Sequence, residues 1–352
     1  MESTDGRGSR RVRIGLLGCG RISRLSHLAN LGSNPAVELV AVADSRREAL
    51  EAGAAHAPGA RGFSDLHELL REAQPDAVVV ALPTTAHAEA ALASIEAGAH
   101  VYLEKPIAVS PAEAREIHRA WIATSLVGRI GFNARFNRLY NTLRERIARG
   151  DAGTPVAVRS SFTARIPSEA TWRLSPATGG GALLELASHH IDLLRFIFET
   201  EIESVTATSW SNRGDDEAAM LQLTLANGVH AQMFVAYGTI EEDSIEVYGT
   251  EGKLRVNRYD SLAVELLPPL ASGGLMSAAK RLRAEVGAVG YGLEKRRAPG
   301  QEPSFAASLG AFVTAVHDRK AAKPDFTDGL RAIEVVDAAR RSISDSRPVV
   351  IG

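Results

Sequence analysis

Glu185 and His189 are the residues of this chain whose types and spacing point most directly to chemistry. They lie in GGGALLELASHHIDLL, residues 179–194. Four positions apart, they would share one side of a helix. A carboxylate and an imidazole held partly out of water can store or move a proton near neutral pH. Asp192 follows three positions after His189, near the same face. Ala182, Leu183, Leu184, Leu186, Ile191, Leu193 and Leu194 make the segment apolar nearly all round, which predicts a buried helix. Two readings compete, a satisfied structural pair and a working site. Zinc is disfavoured and no metal is expected, because no third and fourth ligands stand at a familiar spacing. The three glycines ahead of the helix favour a working site. They let backbone approach a ligand closely, and a helix start attracts anions.

A partner for that pair is suggested near the start of the chain. The strand VRIGLLG (12–18) runs into Gly18-Cys19-Gly20-Arg21-Ile22-Ser23. This is G-x-G-x-x-G with Ser23 at the third glycine, where only a small residue is needed. The pattern is weak alone but gains weight between a strand and a helix, where the turn seats a pyrophosphate. The next strand, VELVAVAD (37–44), ends at Asp44. An acidic residue roughly twenty positions on takes the ribose hydroxyls of NAD. The rival reading of Asp44 is a cap for the next helix, which the set of residues together disfavours. Asp44 disfavours the 2′-phosphate of NADP, whereas Arg46 and Arg47 beyond Ser45 could pair with it, so NADP stays open. Cys19 reads as a small residue near the phosphate, not a nucleophile.

Two further strand ends should face the same crevice, since ligands bind beyond the carboxyl ends of parallel strands. One carries Leu82, Pro83, Thr84, Thr85 and His87, the other Glu104-Lys105-Pro106. An ammonium at Lys105 can orient and polarise a substrate oxygen; a structural ion pair is the rival reading. His87 reads as a helix-start residue or as part of the site.

These residues need a scaffold. Residues 12–133 alternate apolar strands (12–18, 37–44, 77–83, 100–106, 126–133) with helix patterns. The segment 64–73 should start at a Ser64 cap, and 110–121 at Ser110 with Pro111 in the first helical position. The alternation predicts a parallel, doubly wound sheet. After residue 150 a strand at 155–164 and the buried helix 182–198 precede a run of strands between 203 and 268, with a hairpin signal at Asn227-Gly228. That predicts an α+β second domain with an open, mostly antiparallel sheet. A Gly-rich, basic stretch (269–303) and two closing helices follow. The expected division is a disordered tail (1–11), a dinucleotide-binding domain (12–130) and a substrate and oligomerisation domain (131–302), with residues 303–352 returning to the first.

Composition narrows the classes. The chain has 352 residues, 45% hydrophobic and 23% charged, with net charge −2. That is ordinary for a soluble globular protein and carries no basic stripe for nucleic acid. No apolar run matches a membrane span, and MESTDGRGSRR lacks the apolar core of a secretory signal. A single cysteine fits a reducing cytoplasm, the expected location. The cluster Lys280, Arg281, Arg283, Lys295, Arg296 and Arg297 reads as a solvated face, or as a contact for an anionic substrate group.

Taken in order, GCGRIS, Asp44, ALPTTAH, YLEKP, GFNARF and WRLSPATGGGALLELASHHIDLLRF resemble the glucose-fructose oxidoreductase/inositol dehydrogenase (Gfo/Idh/MocA) family over residues 12–350. EVYGTEGKLRV and DGLRAIEVVDAARRS resemble its later blocks. The resemblance implies a Rossmann domain, an open-sheet second domain, and homodimers or homotetramers formed through that sheet. It implies substrates among sugars, sugar acids, inositols and nucleotide-linked sugars. By it, Lys105 matches the lysine that orients the reacting oxygen, and His189 the proton carrier. Glu185 stands where an Asp is usual and is one methylene longer; Ala187 stands where Gly is common. Asn133, Arg135, Trp172, Arg173 and His190 become substrate-pocket candidates, with Trp172 also readable as core and Arg135 as a bridge between domains. The expected activity is NAD(P)-dependent oxidation or reduction at a CH–OH group of a sugar or cyclic polyol. The alternatives are redox-assisted glycoside cleavage with NAD, and a sensor that binds sugar or nucleotide without catalysis.

Overall fold

Six short apolar runs build the first sheet: β1 (Val12–Leu17), β2 (Val37–Ala43), β3 (Arg61–Phe63), β4 (Ala77–Val80), β5 (His100–Leu103) and β6 (Gly128–Ile130). In this computed structural model, which describes residues 10–166, 175–212, 216–269 and 290–352, they pair only in parallel. Their order is β3-β2-β1-β4-β5-β6. Val78, Val79 and Val80 are buried on both faces, as they must be when helices cover both sides of a parallel sheet. Those helices include α1 (Leu28–Gly32), α2 (Arg47–Ala55), α3 (Leu66–Ala73), α4 (His87–Glu96) and α5 (Pro111–Ile122). The strand order reverses between β1 and β4, which opens a crevice at their carboxyl ends.

Local sequence signals match the element ends at α5 but not at α3 or β6. Ser110 caps α5 by accepting from the Glu113 N–H, with Pro111 at the start. The cap of α3 is Asp65, not Ser64: its carboxylate accepts the Glu68 N–H at 2.9 Å. The last strand of this sheet is also shorter than expected. β6 stops at Ile130, and the chain coils tightly through Asn133–Phe136 before α6 (Arg138–Ala148).

The second sheet has eight strands: β7 (Pro155–Ala164), β8 (Ile202–Trp210), β9 (Ala218–Leu225), β10 (His230–Tyr237), β11 (Glu242–Gly249), β12 (Gly252–Asn257), β13 (Glu265–Leu267) and β14 (Val349–Val350). Their order is β13-β12-β11-β7-β10-β9-β8-β14. All neighbours are antiparallel except β7 and β10. Asn227-Gly228 makes the expected tight turn, with Gly228 at φ +84°. Along β9, Ala219, Leu221, Leu223 and Leu225 point inward, while Met220 and Gln222 point out. The inner face is covered by α7 (Ser188–Phe198), the turn before it, and α9 (Phe326–Asp345).

α8 (Ser304–Asp318) lies against α1, β1 and β5. α9 touches both α5 and β8, so it stands between the sheets. β14 departs from the expected return to the first domain. It pairs with the exposed edge of β8, where Val349 meets Val205 and Ile351 N–H donates to Glu203 O at 2.8 Å. Unpaired edge groups seek such a partner. No helix among the described residues is long and apolar enough to cross a membrane.

Candidate active site

The glycine turn sits at the mouth of the crevice. Gly18 adopts φ +93°, and a Cβ there would lie 2.4 Å from the Ala81 carbonyl oxygen. Only glycine lets β1 and β4 approach this closely. Ser23 Oγ donates to Gly18 O at 2.6 Å and locks the turn. Gly20, by contrast, has no heavy atom within 4 Å of where a Cβ would stand. The turn is therefore tight behind and open in front, which suits a pyrophosphate. Arg21 is exposed on this rim, and Ile22 is half-buried.

Asp44 is buried beside the turn. It accepts the N–H of Cys19 and of Arg46, both at 2.9 Å, and the Arg46 guanidinium at 3.3 Å. Arg47 turns away to Glu51 at 2.7 Å, and Ser45 is exposed. Cys19 packs against Gly53, where a Cβ would lie 2.4 Å from its sulfur. Burial, then the charge of Asp44, pushes its thiol up to about 11, so it is a small filler and no thiolate nucleophile.

The β4 and β5 loops are tied together by His87. Its ring nitrogens face Pro106 O at 2.7 Å and Leu82 O at 3.0 Å, and burial holds its pKa below the ordinary value. Wedged between these two carbonyls, with one N–H to donate in its neutral form, the buried His87 ring braces the loops. Gly179 (φ +77°) comes against these loops from the other half of the chain. A Cβ on it would lie 3.1 Å from Thr84 and 3.3 Å from Thr85.

This contact delivers the apolar helix to the lysine. Its first turn, Leu183–Ala187, is a π-helical turn and α7 continues from Ser188. Such turns displace one backbone step and recur at functional sites. Lys105 Nζ donates to Glu185 O at 3.0 Å. The Glu185 carboxylate is buried and accepts from the Tyr237 hydroxyl. His189 lies edge-on to Phe132 and Phe162, with ring centroids 6.3 and 5.6 Å away. Burial first, then the charges of Lys105 and Arg258, hold its pKa well below the ordinary value. A neutral imidazole beside an ammonium can take a proton from an oxygen that the ammonium polarises.

Several expected site residues are engaged elsewhere. Asp192 leaves the face of Glu185 and receives a bidentate pair from Arg135 at 2.6 and 2.8 Å. Arg135 also donates to Asp328 at 3.0 Å, where Asp325 and Asp328 form the capping box of α9. Arg135 thus bridges elements instead of lining a pocket. Asn133 is buried and donates to Ser304 Oγ at 2.8 Å. His190 is wholly buried, held by Ser160 Oγ at 2.5 Å and Asp243 at 3.0 Å, and stacks on Phe162. Adjacent helix positions point about 100° apart, so His190 turns inward where His189 faces the lysine. Trp172 and Arg173 lie outside the described residues.

Sequence reasoning missed Tyr237, Asp243 and Arg258. Burial opposes the charge on Asp243, but Arg258, His190 and Tyr140 outweigh it and hold the carboxyl well below its usual range. Arg258 reaches Asp243 at 2.6 Å and Glu302 at 2.9 Å. The available signal was position: Tyr237 closes a strand whose alternate residues point inward. Of the basic cluster, Lys295 donates to the carbonyls of Arg258 and Tyr259, and Arg296 and Arg297 are exposed. Lys280, Arg281 and Arg283 lie outside the described residues. No metal-binding cluster of His, Cys, Asp and Glu is found among the described residues.

Known proteins resemble this chain along nearly its whole length. Residues 12–132 match the model of an oxidoreductase family with an NAD-binding Rossmann fold, and residues 140–255 match the GFO/IDH/MocA C-terminal domain. The chain is 26% identical over 349 residues to myo-inositol 2-dehydrogenase of Thermotoga maritima, covering 96% of this chain and 98% of that protein. It is 28% identical over 360 residues to inositol 2-dehydrogenase of Rhizobium meliloti, covering 97% and 99%. The WlbA dehydrogenase of Bordetella pertussis, solved with NADH and UDP-GlcNAcA, superposes with a TM-score of 0.82 at 26% identity, covering 97% and 98%. With an NAD-binding sheet followed by the matching C-terminal sheet, the chain belongs to the GFO/IDH/MocA family of oxidoreductases.

Proposed function

We propose that this protein moves a hydride between NAD and a secondary alcohol or ketone of a sugar or cyclic polyol. The observation that carries the reading is the meeting of Lys105 with the helix of Glu185 and His189: ammonium on the Glu185 carbonyl, neutral imidazole one turn on. Inositol dehydrogenases among the relatives support the substrate class.

Gly18, Cys19, Gly20, Arg21 and Ile22 would hold the pyrophosphate, and Asp44, Ser45 and Arg46 the adenosine ribose. Leu82, Pro83 and Thr84 would border the nicotinamide half. When bound, a nicotinamide accepts or returns hydride. The chain's own part is to prepare the oxygen. Lys105 would direct its ammonium at the reacting hydroxyl and stabilise negative charge growing there. His189 would take the hydroxyl proton during oxidation and return it during reduction. Glu185, bonded to Tyr237, would orient a neighbouring substrate hydroxyl or the lysine.

Residues 12–130 would hold the cofactor and 131–302 the substrate. Trp210 and Met220, 61% and 63% exposed on the uncovered face of the second sheet, support self-association there as a dimer or tetramer. NAD is favoured over NADP by Asp44. The deciding experiment incubates the protein with NAD and a panel of inositols, hexoses, anhydrosugars and sugar phosphates while NADH is followed by absorbance. Accumulating NADH supports the reading. Glycoside cleavage without NADH would point to transient oxidation, and binding without either product to a sensor.

A further inference from the structure

A second carboxylate–imidazole pair lies beneath the lysine loop, between Glu104 and His27. Glu104 directly precedes Lys105, and its Oε2 accepts the Lys105 backbone N–H at 3.3 Å. Its Oε1 stands 2.8 Å from Nε2 of His27. The carboxylate is confined on the other side as well, since a Cβ on Gly131 would lie 2.9 Å from Oε2. His27 is wholly buried, edge-on to Tyr102 and Phe305 at centroid distances of 6.1 and 6.0 Å. Among the described residues neither ring nitrogen of His27 makes an aligned hydrogen bond, and neither does Glu104 Oε1; the 2.8 Å Nε2–Oε1 contact joins two otherwise unmet polar atoms.

An imidazole with an unmet nitrogen is a costly filler for a site that leucine could fill. Its element suggests what the cost sustains. The π turn Ser23–His27 begins with the serine that locks Gly18 and ends with the histidine that meets Glu104. One five-residue turn therefore touches the glycine turn at its start and the lysine loop at its end.

We propose that His27 is a positioning residue: through Glu104 it fixes the direction in which Lys105 leaves β5. The proposal rests on the reading of Lys105 as the group that acts on the substrate oxygen. His27 itself touches no reacting atom.

The test compares His27→Leu, His27→Gln, Lys105→Ala and the Lys105→Ala/His27→Leu double variant. Each is measured with NAD and the panel compound of highest turnover, alongside NAD affinity by titration calorimetry and the melting temperature. His27→Leu should lower kcat on the order of ten- to a hundredfold, the usual result of a misplaced group, and leave NAD affinity within about threefold. His27→Gln places an N–H near the position of Nε2 and should restore most of kcat. In the Lys105→Ala background, His27→Leu should change turnover by less than about twofold, because both act as one unit. A crystal structure of His27→Leu should show Lys105 Nζ off the Glu185 carbonyl. A native kcat in His27→Leu, equal losses in Leu and Gln, additive losses in the double variant, or an unmoved Lys105 would each overturn the proposal. If His27→Leu does not fold, His27→Asn, whose amide falls short of Glu104, takes its place against Gln. Lys105→Ala with native turnover would overturn the lysine reading and this inference with it. Lys105→Ala inactive beside an unaffected His27→Leu overturns the inference alone.

Discussion

Replacing Asp44 with alanine should shift cofactor preference toward NADP, and the size of the shift follows from the contacts of that carboxylate. Asp44 is only 7% exposed and is held by Cys19 N–H and Arg46 N–H. A unit negative charge about 5 Å away costs about 3 kcal/mol at an effective dielectric of about 20. Arg46 lies 3.3 Å from the same carboxylate, with a side chain 70% exposed. Its charge offsets part of the repulsion, less than distance alone suggests, because solvent screens it. A remainder of about 1.4 kcal/mol or more is a factor of about ten. The unaltered protein should therefore bind NAD at least about tenfold tighter than NADP. Alanine removes the repulsion and leaves Arg46 without its carboxylate, so the affinity ratio should move by about a hundredfold, or ~3 kcal/mol. Calorimetric titration of both cofactors into the parent, Asp44→Ala and Asp44→Ala/Arg46→Ala measures this directly. The second arginine change should reverse part of the gain. Equal or tighter NADP binding by the parent refutes the reasoning, as does a ratio that Asp44→Ala leaves unchanged.

Three further outcomes are expected. Lys105→Ala and His189→Ala should each lower turnover by about 10² to 10⁴ with NAD affinity nearly intact. The double variant should be little worse than the poorer single one; a folded His189→Ala protein with native turnover would make this helix mere scaffold. Because the folded pKa of His189 is depressed, the unfolded chain binds the proton more readily, so its contribution is full above about pH 6.5 and lost as pH falls below that. His87 and His100 shift in the same direction, and urea melts at stepped pH should show stability declining on acidification; a rise would contradict the assignment. Arg135→Leu strips the buried Asp192 of its bidentate partner and should cost about 3–5 kcal/mol, read from denaturant melts, with a loss under about 1 kcal/mol as the contrary result.

The parts of the site that depend on neighbours in sequence were legible in advance. Gly18, Gly20 and Asp44 are recognisable because strand, turn and helix follow at once. The strand at 155–164 is legible because its middle alternates, Val158, Ser160 and Phe162 inward and Arg159 outward. The parts that depend on remote partners were not legible. Nothing near His190 announces that Ser160 and Asp243 will satisfy both its nitrogens, and nothing near Arg135 announces Asp328, 193 positions away. Spacing says which side of a helix a residue occupies, but not whether that side meets solvent, cofactor or an arginine. The π turn at 183–187 was equally hidden, because it has no residue pattern distinct from that of an α-helix. Tyr237 is ordinary in its strand and becomes notable only once the sheet carries it to Glu185.

The placement of α9 bears on how the molecule is assembled. Since this helix lies against α5 on one side and β8 on the other, neither sheet has its final neighbours until residues 326–345 have docked. The 12–130 segment made by itself would leave the α5 face bare and prone to self-association. On a ribosome, both sheets would wait, partly formed and exposed, for a helix translated after every one of their described strands except β14. Contacts so distant in sequence slow folding and lengthen dependence on chaperones. Once docked, the same helix should make the two sheets unfold together, so that calorimetry records one transition.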